Sequence, residues 1–233
     1  MIKWGWVKDK EDSRDYPATR LIVKPVVLPK EYIVNPNTII YDQNGLPACV
    51  GFATAGVKTD EEWLQWKKQI SFDGEWLYNE CKKQDGVPDV EGTFPRVALK
   101  IIKSLGMKRV GLCKKPEKKW IINSYYRITS NNNDDFIKQV LYQFGSILIG
   151  SSWYENWMNV ADLFPIPNKK VGGHAYRIYG WNNIGFIVVN SWGKALWGIN
   201  GIATMPYDIF RGEILSEGDC WKLVDNTTMK RIL

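Results

Sequence analysis

Gln43-Asn44-Gly45-Leu46-Pro47-Ala48-Cys49-Val50-Gly51-Phe52-Ala53 is the stretch on which the reading of this chain turns. From Cys49 onward, small or apolar residues recur at 52, 53, 56 and 57 and again at 63 and 64, offsets that fit one face of a helix. Pro47 disfavours the helical region for Leu46, so Cys49 is expected as the first or second residue of a buried helix running to about Gln69. A thiol in that place meets the positive end of the helix dipole, which favours thiolate over thiol. Taken alone, such a cysteine is more often a small apolar side chain in a core than a nucleophile.

Working outward, 233 residues are enough for a real core, as one domain or two lobes. The twelve Trp are expected in the core or in cleft walls, and the net charge of +6 is spread over scattered Lys and Arg. One dense run, Lys114-Lys115-Pro116-Glu117-Lys118-Lys119, reads as a solvated loop, since no nucleic-acid motif accompanies it. The four Cys at 49, 81, 113 and 220 lack CxxC spacing, so no zinc site is expected, and one disulfide among the other three stays open. Met1 to Pro17 is charged and lacks a signal peptide's apolar core, and no apolar run reaches the roughly 18 residues of a membrane span. The expectation is a reducing, cytoplasmic setting by default, with virion association or another route of release open. No metal, cofactor, nucleic-acid or membrane partner is expected.

Residues 1–40, with Trp4, Trp6 and four prolines, read as an extended arm with at most one short strand. Residues 41–130 read as a helical lobe: after the helix at Cys49 come one over Gly74–Lys83 and one opened by Thr93-Phe94-Pro95, with Thr93 as capping hydroxyl, and closed by Gly106. Residues 131–233 read as a β-rich lobe that begins with a helix from Asp134 to Gly145. Strands are expected at Ser146–Gly150, His174–Trp181, Phe186–Val189, Gly201–Met205 and Cys220–Val224. A helical half followed by an antiparallel half predicts an α+β protein of two lobes.

His174 is the chain's one histidine, and it is read as opening a strand after a Gly-Gly turn. Sixteen residues on, Asn190 closes the apolar run Phe186-Ile187-Val188-Val189. A buried amide without a partner costs about 1–3 kcal/mol. If the carbonyl of Asn190 accepts from one ring nitrogen of His174, both are satisfied and the other nitrogen turns toward a cleft.

Gln43, Cys49, His174 and Asn190 within Asn190-Ser191-Trp192-Gly193, followed by Trp197-Gly198, resemble the papain-like cysteine peptidase family. Its cysteine precedes its His and Asn by about 130–150 residues; here the separations are 125 and 141. Gly92-Thr93-Phe94-Pro95 resembles the family's segment that lays substrate backbone along the cleft, with Thr93 in place of a glycine. Arg14-Asp15-Tyr16-Pro17 is similar to the short prefaces of bacterial and phage members. The cysteine usual three residues before the nucleophile is Leu46 here, and the aromatic usual after it is Val50. The resemblance implies a helical lobe and a β-barrel-like lobe with the active site between them. It implies peptide-bond hydrolysis by a Cys49–His174–Asn190 triad, with Gln43 at the oxyanion and no cofactor. It also implies a polypeptide substrate along Gly92, Thr93, Phe94, Gly173 and Trp192, with Trp192 shielding the His–Asn bond.

Two other functions stay open: a Cys–His amidase acting on peptidoglycan cross-peptides, and a non-catalytic binding module on a peptidase scaffold. The small residues Gly172, Gly173 and Ala175 predict an open pocket for a bulky apolar side chain, with Phe94 as a wall. The arm is expected to brace the β lobe rather than block the cleft.

Overall fold

The computed structural model describes residues 3–21, 24–111 and 114–225. Helix α1 starts at Cys49 itself and runs Cys49–Trp66, where Lys67 leaves it in the left-handed region. Helix α2 covers Gly74–Lys82, capped by the Asp73 side chain, which accepts from the Trp76 N–H at 2.8 Å. Helix α3 covers Pro95–Leu105, with proline at its first turn. Thr93 does not cap it: Phe94 holds the cap position without a side-chain bond, and the Thr93 hydroxyl donates to Asp85 at 3.0 Å instead. Helix α4 covers Asp134–Phe144, with Asn133 as its cap.

Among the described residues seven strands follow the antiparallel grammar: β1 Tyr32–Ile33, β2 Ser124–Arg127, β3 Ile147–Tyr154, β4 Lys170–Trp181, β5 Gly185–Val189, β6 Ile202–Pro206 and β7 Asp219–Val224. They form one sheet in the order β2-β7-β3-β4-β5-β6, with β1 added to β4. Because β2 and β6 lie at the two ends of this order, the sheet stays open and does not close into the barrel-like form expected. β2 was not foreseen; its four residues are all half-buried and show no alternation to read. Gly172 and Gly173 are not a turn but part of β4, paired with Trp153 and Ser152 of β3.

The sheet divides two cores by the alternation of its side chains. Leu148, Ala175, Trp221 and Leu223 face a core made with α1, α2 and α3. Ile149, Tyr176 and Ile178 face a second, with α4, Trp153, Trp181, Phe186 and Phe210. The cleft of interest opens where Cys49, on the first side, comes up against β4. Cys49, Cys81 and Cys220 are free, buried thiols; Cys113 and part of the run Leu21-Ile22-Val23 lie outside the described residues. Lys114, Lys115, Lys118 and Lys119 are exposed. Among the described residues no helix is long and apolar enough to cross a membrane.

Candidate active site

Four elements bring the sequence-predicted residues to one place. α1 presents Cys49 at its head, β4 carries His174, the end of β5 delivers Asn190, and the turn before α1 holds Gln43. The Ala175 N–H donates to Cys49 Sγ at 3.2 Å, so the sulfur lies against the residue next to the imidazole. His174 Nε2 is 2.8 Å from Asn190 Oδ1, which also accepts from the Ser191 N–H at 2.7 Å. That shared acceptor fixes the amide and gives Nε2 the proton. His174 Nδ1 is buried and has no hydrogen-bond partner among the described residues. The second ring nitrogen, expected to turn toward a cleft, therefore makes no hydrogen bond to the Cys49 thiol in this arrangement.

Gln43 is tied on both sides: its Oε1 accepts from Ser191 Oγ at 2.8 Å and its Nε2 donates to Leu46 O at 2.6 Å. One amide hydrogen stays over for a further acceptor. Trp192 lies tilted against the imidazole, ring centroids 4.8 Å apart, and Trp153 meets it edge-on at the same separation. Trp153 was missed by the sequence reading, although its place three residues beyond Gly150 on β3 put it within reach of β4.

The arm lies in the cleft. Gly5 and Trp6 N–H groups both point to Gly173 O, at 3.3 and 3.2 Å. Thr93 N–H donates to Gly5 O and Val7 N–H to Thr93 O, each at 3.0 Å, which makes a parallel bridge between the arm and Thr93. Gly5 passes directly over the thiol: a Cβ there would stand 2.8 Å from Cys49 Sγ and 2.3 Å from Pro47 O. The Trp4 ring is seated on Gly172, and the Trp6 ring on Gly150 and Gly173, where any side chain would strike the indoles. Trp4 packs against the β-side core and Trp6 against the helical one, so the segment braces both lobes and occludes the cleft between them. Of the residues expected to line the cleft, Thr93 and Gly173 bond the arm, and Gly92 packs directly against Gly5, where a Cβ would meet Gly5 O at 2.6 Å. Phe94 is half-buried at the start of α3. Beside the arm a cavity of about 500 Å³ remains between Trp4, Glu91, Tyr154, Lys170, Glu213 and Glu217.

Burial sets the electrostatics of the covered site. It pushes the Cys49 thiol up to about 12, against the pull of the Ala175 N–H. It lowers His174 to about 4, although the bond to Asn190 works the other way. The helix head is where the sequence placed it, but removal from water outweighs its dipole. With the arm in place the pair is thiol and neutral imidazole.

No protein-family model and no curated protein sequence matches the chain. Solved structures do. Xylellain, a cysteine protease from Xylella fastidiosa, aligns at 21% identity over 96% of each chain, with a TM-score of 0.79. Procathepsin B S9 from Trypanosoma congolense aligns at 18% identity over 97% of this chain and 87% of that one, with a TM-score of 0.74. A Carica candamarcensis cysteine protease in complex with E-64 aligns at 17% identity over 85% of this chain and 100% of that one, with a TM-score of 0.66. The open sheet, the helix headed by Cys49 and the groove between them are thus the fold of the papain-like cysteine proteases.

Proposed function

We propose that this chain is a cysteine peptidase, latent while its own residues 4–7 fill the cleft. The observation that carries the reading is an imidazole steadied at Nε2 by an asparagine carbonyl, with Nδ1 left unpartnered, one residue from the N–H that touches a helix-head thiol. A histidine wanted only for packing has no need of an oriented ring with a vacant nitrogen.

When the arm leaves, water returns, and the penalties that keep Cys49 and His174 neutral fall away together. Cys49 then passes its proton to His174 Nδ1 and attacks a substrate carbonyl as thiolate. The spare Gln43 amide hydrogen and the Cys49 N–H stabilise the oxyanion. His174 gives its proton to the departing amine, leaving an acyl thioester that water hydrolyses with the imidazole as base. Asn190 keeps the ring aligned through both transfers. In the docked arm the Gly5 carbonyl accepts from the Thr93 N–H. The indoles of Trp4 and Trp6 on glycine seats support a preference for bulky aromatic side chains in the substrate.

A thiol-alkylating epoxide peptide, followed by intact mass and peptide mapping, tests the assignment. The expected result is labelling of Cys49 well ahead of Cys81 and Cys220, increased in Trp6→Ala and abolished in His174→Ala, with casein cleaved and purified cell wall untouched. Labelling of the three thiols at one slow rate, indifferent to His174, would remove it.

A further inference from the structure

The arm is fastened behind the cleft by two carboxyl groups buried together. Asp9, on the arm, is 3% exposed and Asp219, at the head of β7, is fully buried. Asp219 Oδ2 accepts from the Asp9 N–H and from Trp6 Nε1, each at 2.9 Å. Asp9 Oδ2 accepts from the Arg96 N–H and from Trp221 Nε1, each at 3.0 Å. The groups around the pair come from every element packed on it. β2 supplies Arg127, bonded to Asp219 Oδ1 at 2.8 Å, and Tyr125. α3 supplies Arg96, whose guanidinium is turned to Asp15 at 2.6 Å and to Lys10 O at 2.7 Å. β7 adds Cys220 beside Asp219, and the arm adds Asp12 and Asp15. Arg127 is thus bonded to only one of the two buried carboxylates, Asp219, and among the described residues no ion pair reaches Asp9, although the charges of Arg96 and Arg127 both act on it. Two like charges so placed are not both held ionised without a penalty.

We propose that Asp9 and Asp219 are a proton-operated latch: the arm stays across the cleft while the pair holds a proton and is expelled as both carboxylates ionise. Burial, with the Asp219 charge second, pushes Asp9 up to about 7 in the docked arm, and burial raises Asp219 as well. On a released, solvated arm Asp9 returns toward its ordinary 3.8. The docked state then binds the extra proton between those limits, so docking is strongest below about pH 4 and is lost as the pH rises through about 7. His174, covered by the same arm, pulls the opposite way, since release lets it charge below its ordinary 6.5. The latch is therefore read as a difference in which His174 cancels. The consequence for activity rests on the peptidase reading above; the latch itself does not.

The experiment compares the rate of Cys49 alkylation by iodoacetamide in the full wild-type chain and in Asp9→Asn, whose amide keeps the two accepted bonds but cannot ionise. The wild-type to variant ratio is expected to rise at least tenfold from pH 5 to pH 8, the thiol's own titration and that of His174 dividing out. Asp219→Asn is the second variant should Asp9→Asn fold poorly, with the same rise expected. A ratio constant within twofold overturns the latch. A rising ratio with casein uncleaved at every pH keeps the latch and discards the peptidase.

Discussion

Helix α1 carries two buried polar assemblies, one at its head and one from Lys58 to Glu62, and they differ in what they leave undone. In the second, Asp60 accepts from Asn35 at 3.1 Å, Thr38 at 2.6 Å, Ser146 at 2.6 Å and the Arg177 guanidinium at 3.0 Å. Lys58 pairs with Glu62 and with Asp225, and Lys222 with Glu61 and Ser146 O. Among the described residues none of these side chains has a buried polar atom left without a partner. At the head of the helix, His174 Nδ1, Asn190 Nδ2 and Trp192 Nε1 are all buried without partners among the described residues. The closed network ties together side chains from both sides of the sheet; the open one keeps polar atoms that, on the peptidase reading, a reacting group would meet once the arm leaves.

The sharpest break in that comparison is Arg177→Ala. It strands Asp60 among acceptors and donors arranged for a charged partner, and one uncompensated buried charge costs about 3–5 kcal/mol. Denaturant unfolding should show a loss of that order, while the Cys49 environment, sensed by its alkylation in whatever fraction is folded, stays as in the wild type. A loss below about 1 kcal/mol would mean that the network is slack and the contrast between the two assemblies is false.

Next comes Gln43→Ala. On the peptidase reading it removes an oxyanion donor, worth about 2.7–4 kcal/mol, or 10²–10³ in kcat. Peptide hydrolysis in the Trp6→Ala background measures it, and unchanged epoxide labelling of Cys49 separates the oxyanion role from thiol activation. An equal fall in kcat and labelling would make Gln43 a scaffold for the Ser191 loop instead.

The two assemblies also differ in how much of them the sequence disclosed. The head of α1 was legible because Pro47 and the apolar spacing fix where the helix can start, and because the Asn190 amide at the end of an apolar strand asked for a partner. Lys58-Thr59-Asp60-Glu61-Glu62 drew no reading of its own beyond lying within the helix expected from Cys49. Its partners lie far away in sequence, 117 residues for Arg177 and 161 for Lys222, and no local pattern announces them. The arm was half legible. Trp4 and Trp6 stood out, and so did Gly172 and Gly173, but their match is a fit of indole to absent side chains, and its bonds to Gly173 and Thr93 are backbone bonds that leave no mark in residue type.

Gly5→Ala tests that fit at its tightest point. The added methyl would meet the Pro47 carbonyl, a backbone atom that cannot swing away, and the thiol itself. Overpacking of this kind costs about 1–3 kcal/mol. It falls on the docked arm and not on the cores, so Cys49 alkylation should rise by roughly ten- to a hundredfold at a nearly constant melting temperature. A drop in melting temperature without faster alkylation would make the segment a brace alone.

Trp192→Phe should do least. Its indole N–H has no partner among the described residues to lose, so the substitution removes an unsatisfied donor while keeping an aromatic face against the imidazole. The gain from deleting a stranded N–H and the loss from a smaller ring are each about 1–2 kcal/mol and oppose each other. Thermal unfolding should therefore move by only a few degrees, against a shift several times larger for Arg177→Ala. The pH dependence of Cys49 labelling separates shielding from packing: if the indole keeps water from the His174–Asn190 bond, Phe at this position leaves more of the imidazole hydrated and raises its pKa, and an unmoved profile assigns Trp192 to packing. Either way the size of the effect follows from bonds already missing at the head of α1, just as the size of the Arg177 effect follows from bonds already made eleven residues along the same helix, at Asp60.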